Sequence, residues 1–297
     1  MRIISLVPAA TEILAELGAA DQLVGISHEC DYPAAIRDLP RVTTTVLDTG
    51  ATSRQIDARL RAEGTTTIVV AAEEIRSLRP DLIVTQALCE VCAVSEGAVR
   101  RLADALKPAP EIITLAGRTI AGVIYDILRL GEHLATNEAR DQAERLTNWM
   151  EDRLTTIRER AQSQRHGEPP PRVLTIEWVD PVFLAGHWVP ELVDFAGGVD
   201  VGAEPGAHSR EVTLEELDGF QFNHVFVIPC GFDIKRARHE LDHSPQVAAW
   251  LRQRRVPITL MDANSYTSRP GPRLVDGATI MAAAITGGRH DGFQTWQ

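Results

Sequence analysis

Four cysteines and one five-residue motif are the places where this chain could carry out chemistry. QALCEVCAVS, residues 86 to 95, sets Cys89 and Cys92 two residues apart, and Cys30 and Cys230 are the other two thiols. Thiolates bind zinc, iron and other soft ions at ~2.3 Å. A C-x-x-C also suits redox exchange when a helix N-terminus lowers a thiol pKa. A third reading is small thiols packing loop ends, because free cysteine is among the most buried residue types. One C-x-x-C with two distant singles is a weaker zinc signal than a doubled C-x-x-C. The spacing leaves all three readings open.

The other motif is HELDH, His239 to His243, a literal H-E-x-x-H. In a zinc hydrolase the two His bind metal one helical turn apart and the Glu acts as base. Here Ser244 and Pro245 end the helix directly after the second His. No Glu follows Glu240 to supply a third ligand, and the extended pattern fails at Gln246. The expectation is a solvated helix face whose histidines hold no metal. No G-x-G-x-x-G, Walker loop or G-x-S-x-G is present, so nucleotide and α/β-hydrolase chemistry have no support.

Composition narrows the class. The chain has 297 residues, enough for two lobes, with 44% hydrophobic and 24% charged residues. A net charge of -11 argues against a nucleic-acid partner, which calls for a basic face. MRIISLVPAATEIL runs from Met1 into a strand-like apolar run with no secretory n-region or h-region before it. No segment reaches the ~18 uninterrupted apolar residues of a membrane span. The sequence as it stands reads as cytoplasmic and not membrane-inserted, or as periplasmic or extracellular if a leader has been removed. In the cytoplasm the cysteines are thiols or ligands rather than disulfides.

The elements that position these residues follow from periodicity. Short β-branched runs alternate with helical patterns, the signature of an α/β fold with parallel strands. Strand candidates are IISLV (3 to 7), LVGIS (23 to 27), LIVT (82 to 85) and IITL (112 to 115), then VLTIEW (173 to 178), HVFVIP (224 to 229) and PITLMD (257 to 262). Between the two sets, Ile120, Val123, Ile127, Leu128, Leu134, Leu146, Met150, Leu154 and Ile157 recur at helical spacing. RHGEPPP (165 to 171) then stops the helix. The expected architecture is two Rossmann-like α/β lobes, 1–118 and 166–297, joined by one long helix over 119–165 that is kinked at most.

The lobes also resemble each other. EEIRSLRPDLIV (73 to 84) aligns without gaps on EELDGFQFNHVF (215 to 226), pairing Glu73 with Glu215, Ile75 with Leu217 and Asp81 with Asn223. Each reads as a short helix feeding a strand. Parallel sheets bind ligands beyond the carboxyl ends of their strands, and all four cysteines fall past such ends. The expectation is that Cys30, Cys89 and Cys92 cluster within roughly 10 Å at the cleft mouth of the first lobe, with Cys230 facing them from the second. A metal ion at these thiols is the riskier extension.

RIISLVPAATEIL, LVGISHECDYP, EEIRSLRPDLIVTQ, GHWVPELVDFAGGVD, PCGFDI and NSYTSRPGPRLVDG together resemble class III solute-binding proteins. These bind cobalamin, haem or iron-siderophores for ABC importers, and the chain looks most similar to the cobalamin branch. The resemblance implies two α/β lobes on a rigid helix, a ligand cleft between them, and non-enzymatic binding that needs no cofactor. It implies as ligand contacts Pro8, Ala9, Thr11, His28, Glu29, Tyr32, Gln86, Glu177, Trp178, Trp188, Cys230, Phe232, Tyr266 and Arg269. Aromatics suit a large planar macrocycle; for Trp188 and Tyr266 core packing is an equal alternative. It implies docking on an ABC importer permease through Glu73 and Glu215, which otherwise read as first-turn acids facing a helix dipole. D-x-H-x-x-G, the corrinoid-enzyme motif, is absent. The competing functions are an intracellular thiol-based metal or cluster protein using Cys30, Cys89, Cys92 and Cys230, and a hydrolase built on HELDH.

Overall fold

The structure, a computed structural model, describes residues 1–48, 50–63, 67–88, 94 and 96–296. Its contacts fall into two compact units. The first comprises Met1–Ala51, Ala58–Gly117 and Ala121–Asn148, and the second Thr52–Asp57, Arg118–Ile120 and Trp149–Gln297.

Up to the end of the long helix the chain runs β1 (Ile3–Ser5), α1 (Pro8–Glu16), β2 (Leu23–Ile26), β3 (Thr43–Thr45), α2 (Ser53–Glu63), β4 (Ile68–Val70), α3 (Ala72–Leu78), β5 (Leu82–Gln86), α4 (Glu96–Asp104), β6 (Glu111–Leu115), α5 (Ile120–His133) and α6 (Asn137–Gln164). All of this belongs to the first unit except the starts of α2 and α5 and the end of α6, which belong to the second. The main sheet of the first unit has the order β2-β1-β5-β6, all parallel, and β3 and β4 form a separate antiparallel pair. Ile4, Leu6, Val42, Ile75, Ile83 and Val99 make its core. Pro8 opens α1 at a position where its fixed φ and missing N–H cost nothing.

The second unit runs β7 (Arg172–Trp178), β8 (Phe183–Leu184), α7 (Val189–Phe195), β9 (Val199–Asp200), β10 (Arg210–Glu211), α8 (Leu214–Leu217), β11 (His224–Val227), α9 (Ile234–Asp242), α10 (Pro245–Gln253), β12 (Ile258–Met261), α11 (Ala263–Tyr266), α12 (Leu274–Ile285) and β13 (Phe293–Trp296). Its sheet has the order β10-β8-β7-β11-β12-β13, with β9 also on β7. The central strands β7, β11 and β12 are parallel; β8, β10 and β13 are antiparallel. Every residue of β11 and β12 is buried, which is why HVFV and ITLM are mostly apolar without alternation; their polar members, His224 and Thr259, pair with each other at 3.0 Å.

The α/β class is as the sequence reading had it. The helical stretch differs. It is two helices, α5 and the 28-residue α6, broken at 134–136. Ala135 takes a left-handed φ of 57°, and the Thr136 hydroxyl accepts the Ala139 amide at 3.1 Å, capping α6. The apolar spacing continues across this break, so periodicity alone did not show it.

The aligned segments are structurally equivalent. α3 leads into β5 and α8 into β11, and Ile75 and Leu217 are both 0% exposed. The Asp81 side chain accepts the Arg2 amide at 2.7 Å, and Asn223 accepts the Arg172 amide at 2.9 Å. The Arg2 guanidinium donates to Leu78 O at 2.7 Å and that of Arg172 to Gln221 O at 2.6 Å. Both clasps fix the entry of the first strand against the central one.

Candidate functional site

The chemistry-bearing side chains of the second unit gather beyond the carboxyl ends of β7 and β11. β7 ends on Trp178, and the turn after β11, Pro229 to Phe232, passes through Gly231 at φ +77°, a backbone region that favours glycine. Gly231 N donates to the Ser268 hydroxyl at 2.9 Å, and Phe232 O accepts the amides of Ala263 and Asn264. These bonds hold the Phe232 ring 5.3 Å from Trp178, tilted by 44°, within the range at which aromatic pairs attract. The Arg236 guanidinium sits over the other ring of this pair, 4.9 Å from the Phe232 centroid.

Glu177, next to Trp178, accepts the Ser209 hydroxyl at 2.9 Å and the Gly186 amide at 3.3 Å. Trp188 is 6% exposed and donates to Thr267 O at 2.7 Å, so as placed it packs the interior with its N–H satisfied. Tyr266 is half-buried under Arg273, 4.9 Å from its ring. Arg269 is 5% exposed and donates to Asn264 Oδ1 at 3.0 Å. Gly277 lets α12 pass this loop, since a Cβ there would stand 2.3 Å from Tyr266 O.

His187 was missed from the sequence. It takes a left-handed φ of 54° between two tight backbone bonds, donating to Ala207 O and accepting from Gly206 N. Its ring meets His208 edge-on at 5.2 Å. Burial first, then His208 and Arg118, push its pKa below the usual histidine value, which keeps the imidazole neutral. Arg236 was missed as well, although it lies one helical turn from Phe232, behind the Asp233 cap of α9. That cap and spacing were legible.

The first unit offers a different surface. Ser5 Oγ donates to Val7 O at 2.9 Å, and Thr11 Oγ1 donates to Ser5 Oγ at 2.8 Å. Cys30 Sγ lies 3.0 Å from Thr11 Oγ1 and 3.2 Å from Ser27 Oγ. Cys30 thus shares hydrogen bonds with both hydroxyls. The Cys30 thiol is 0% exposed. Ala9 and Thr11 are buried with it; Pro8, at the start of α1, and Gln86, at the end of β5, are half-buried. His28 Nδ1 pairs with Thr43 Oγ1 at 2.8 Å, and burial first, then Arg41, lowers its pKa. Glu29 is exposed, as is Tyr32 at 40%.

Cys89 and Cys92 lie outside the described residues. Cys230 is half-buried, its amide bonded to Glu177 O at 3.0 Å. Among the described residues no three His, Cys, Asp or Glu side chains gather as a metal ion requires. A metal at the cysteines, and a cysteine cluster, therefore find no support there.

HELDH is half as expected. His239 and His243 are exposed, their rings 4.0 Å apart, and α9 ends at Asp242. Glu240, expected on the same solvated face, is 0% exposed instead. It accepts the Ser53 amide at 2.6 Å, an interior tie that leaves it no role as a base. Glu73 and Glu215 stand exposed in the first turns of α3 and α8; Glu73 is paired with Arg76 at 2.5 Å. A hollow of about 240 Å³ lies away from all of these, at the amino end of β12, between Leu251, Arg252, Val256 and Trp296.

Among the described residues no helix is long and apolar enough to cross a membrane. Comparison with known proteins gives concordant results. The vitamin B12-binding protein of Vibrio cholerae is 24% identical over 281 residues, covering 93% of this chain and 85% of its own. A periplasmic heme binding protein from Pseudomonas aeruginosa has a TM-score of 0.72 at 20% identity, covering 100% of this chain and 98% of its own. The periplasmic vitamin B12 binding protein of Vibrio cholerae has a TM-score of 0.62 at 23% identity, covering 96% of each chain. The model of the family described as periplasmic binding protein matches residues 3–248. A match over most of the chain's length decides membership: this chain belongs to the periplasmic binding protein family, whose members bind a solute and do not transform it.

Proposed function

We propose that the chain binds cobalamin or a related metal-centred macrocycle and presents it to an ABC importer permease. The observation that carries this reading is the Trp178–Phe232 pair, backed by Arg236, beyond the carboxyl ends of β7 and β11. Two tilted rings with a cation behind them offer a broad apolar face to a planar ligand, where burial and stacking supply the affinity. The relatives named as vitamin B12-binding proteins support cobalamin, and solved structures named as heme-binding proteins support the wider class of metal-centred macrocycles. Pro8, His28, Glu29, Tyr32 and Gln86 would contact the ligand from the first unit; Glu177, Tyr266 and Arg269 would do so from the second. Glu73 and Glu215 would meet the permease, both exposed and at matching positions of the repeat.

Calorimetric titration against cobalamin, cobinamide, haem and a ferric siderophore tests the reading. Cobalamin is expected to bind with micromolar or tighter affinity and to be recovered unchanged. Failure of every member of that panel to bind would end it.

A further inference from the structure

Glu240 joins the aromatic pair to a distant stretch of sequence. α2 starts with a capping box, in which Thr52 N donates to Gln55 Oε1 at 2.8 Å and Gln55 N lies 3.4 Å from Thr52 Oγ1. That leaves the Ser53 amide, one of the donors with no partner inside a helix. Glu240 Oε2 accepts it at 2.6 Å from a fully buried position. The other oxygen, Oε1, lies 3.1 Å from Arg236 Nε, one turn earlier on α9. Arg236 is the same side chain that covers Phe232.

A buried carboxylate is costly unless compensated, so Glu240 depends on both neighbours. Among its neighbours Arg236 meets the ring face at 4.9 Å and the carboxylate as an ion pair at 3.1 Å. Four groups thus run in one line: Trp178, Phe232, Arg236 with Glu240, and Ser53. All four lie in the second unit, Ser53 through its Thr52–Asp57 segment.

We propose that Arg236 and Glu240 are positioning residues for the ligand, and that occupancy of the aromatic pair registers at the Ser53 amide. This rests on the aromatic pair being the ligand face. A ligand pressed on Phe232 fixes the ring, the ring fixes the guanidinium, and the guanidinium fixes the carboxylate that accepts from Ser53. Arg236→Lys separates these two contacts, because an ammonium can still pair with Glu240 but has no planar face for the ring.

The test is hydrogen exchange at the Ser53 amide, followed by NMR with and without cobinamide, alongside cobinamide affinity. In the ligand-free protein, Arg236→Ala is expected to speed Ser53 exchange about tenfold, and Glu240→Gln to speed it less. Arg236→Lys is expected to restore Ser53 protection while leaving affinity about tenfold weak. Cobinamide is expected to slow Ser53 exchange in the wild type and not in Arg236→Ala. Unchanged Ser53 exchange in ligand-free Arg236→Ala overturns the inference. So does equal protection by cobinamide in wild type and Arg236→Ala. If the wild type binds no probe while Arg236→Ala still speeds exchange, the ligand reading fails and the coupling to Ser53 stands.

Discussion

The two units share a frame and differ in what they hang on it. Each leads a short helix with an acidic first turn into a central parallel strand, and each locks that strand with a clasp of Arg with Asp or Asn, Asp81 with Arg2 and Asn223 with Arg172. Beyond the strand ends the first unit buries a chain of small hydroxyls and a thiol, Ser5, Thr11, Ser27 and Cys30. The second sets out rings and arginines, Trp178, Phe232 and Tyr266 with Arg236 and Arg273. A frame fixed by backbone and clasp tolerates either lining, because strand-end loops carry function while the sheet carries stability.

The sharpest way to break this contrast is to remove the rings. Trp178→Ala with Phe232→Ala is expected to weaken binding of the macrocycle by at least about 100-fold, each ring contributing ~1.5–3 kcal/mol by burial. Titration calorimetry reads it. Thr11→Val in the first unit is expected to change affinity less than about tenfold. A larger effect from Thr11 than from the rings would reverse the assignment of the two surfaces.

A second contrast is in acid. The clasp residues Asp81 and Asn223 are followed by Leu82 in one unit and by His224 in the other, with His224 pushed down to about 4 by burial. Its folded pKa lies below the ordinary 6.5, so it must stay neutral, and its contribution is lost as pH falls from 6.5 toward 4, of the order of 2–3 kcal/mol. Asp200 has the opposite sign. Burial raises it to about 6, so its contribution is present below about 3.8 and is lost as pH rises through 6. The two offset each other in the wild type. His224→Leu, which installs the first unit's residue, is therefore expected to gain stability relative to wild type between pH 7.5 and pH 4.5. Thermal melts at both pH values check it, and an unchanged difference would show that burial of His224 costs nothing.

Cys30→Ala is expected to cost about 1–2 kcal/mol, because Ser27 and Thr11 lose their partner inside the first unit. Urea unfolding measures that, and metal analysis is expected to find the same content in both proteins. Loss of a bound metal would bring the cysteine reading back.

The smallest effect concerns the shared clasp. Asp81→Ala and Asn223→Ala are each expected to destabilise by about 1 kcal/mol, equally within error. A difference above about 2 kcal/mol would show that the two frames are not equivalent.

Much of the frame was legible. The duplicated EEIRSLRPDLIV and EELDGFQFNHVF anticipated two equivalent helix-to-strand passages, since burial of Ile75 and Leu217 depends on local spacing. The clasps were not anticipated, because Arg2 and Arg172 reach Asp81 and Asn223 from far away in sequence. The break at Ala135 was not legible as a break, because a left-handed residue between two apolar-periodic helices leaves their spacing intact; the Thr136 cap was its one sign. Glu240 was misplaced on a solvated face because its partner, Ser53, is far away in sequence. His187 carried no signal, as its positive φ follows from backbone bonds to Gly206 and Ala207.

The sequence by itself determined the α/β alternation, the acidic first turns at Glu73 and Glu215, and the aromatic content of the strand-end loops. Those properties depend on residue type and short spacing. Only the tertiary structure decided that Cys30 is a satisfied thiol, that Trp188 packs inward while Trp178 meets Phe232, and that the Glu of HELDH closes a helix start. Each of those depends on which distant groups share a buried space, and burial sets both the protonation of a side chain and the partners it must find.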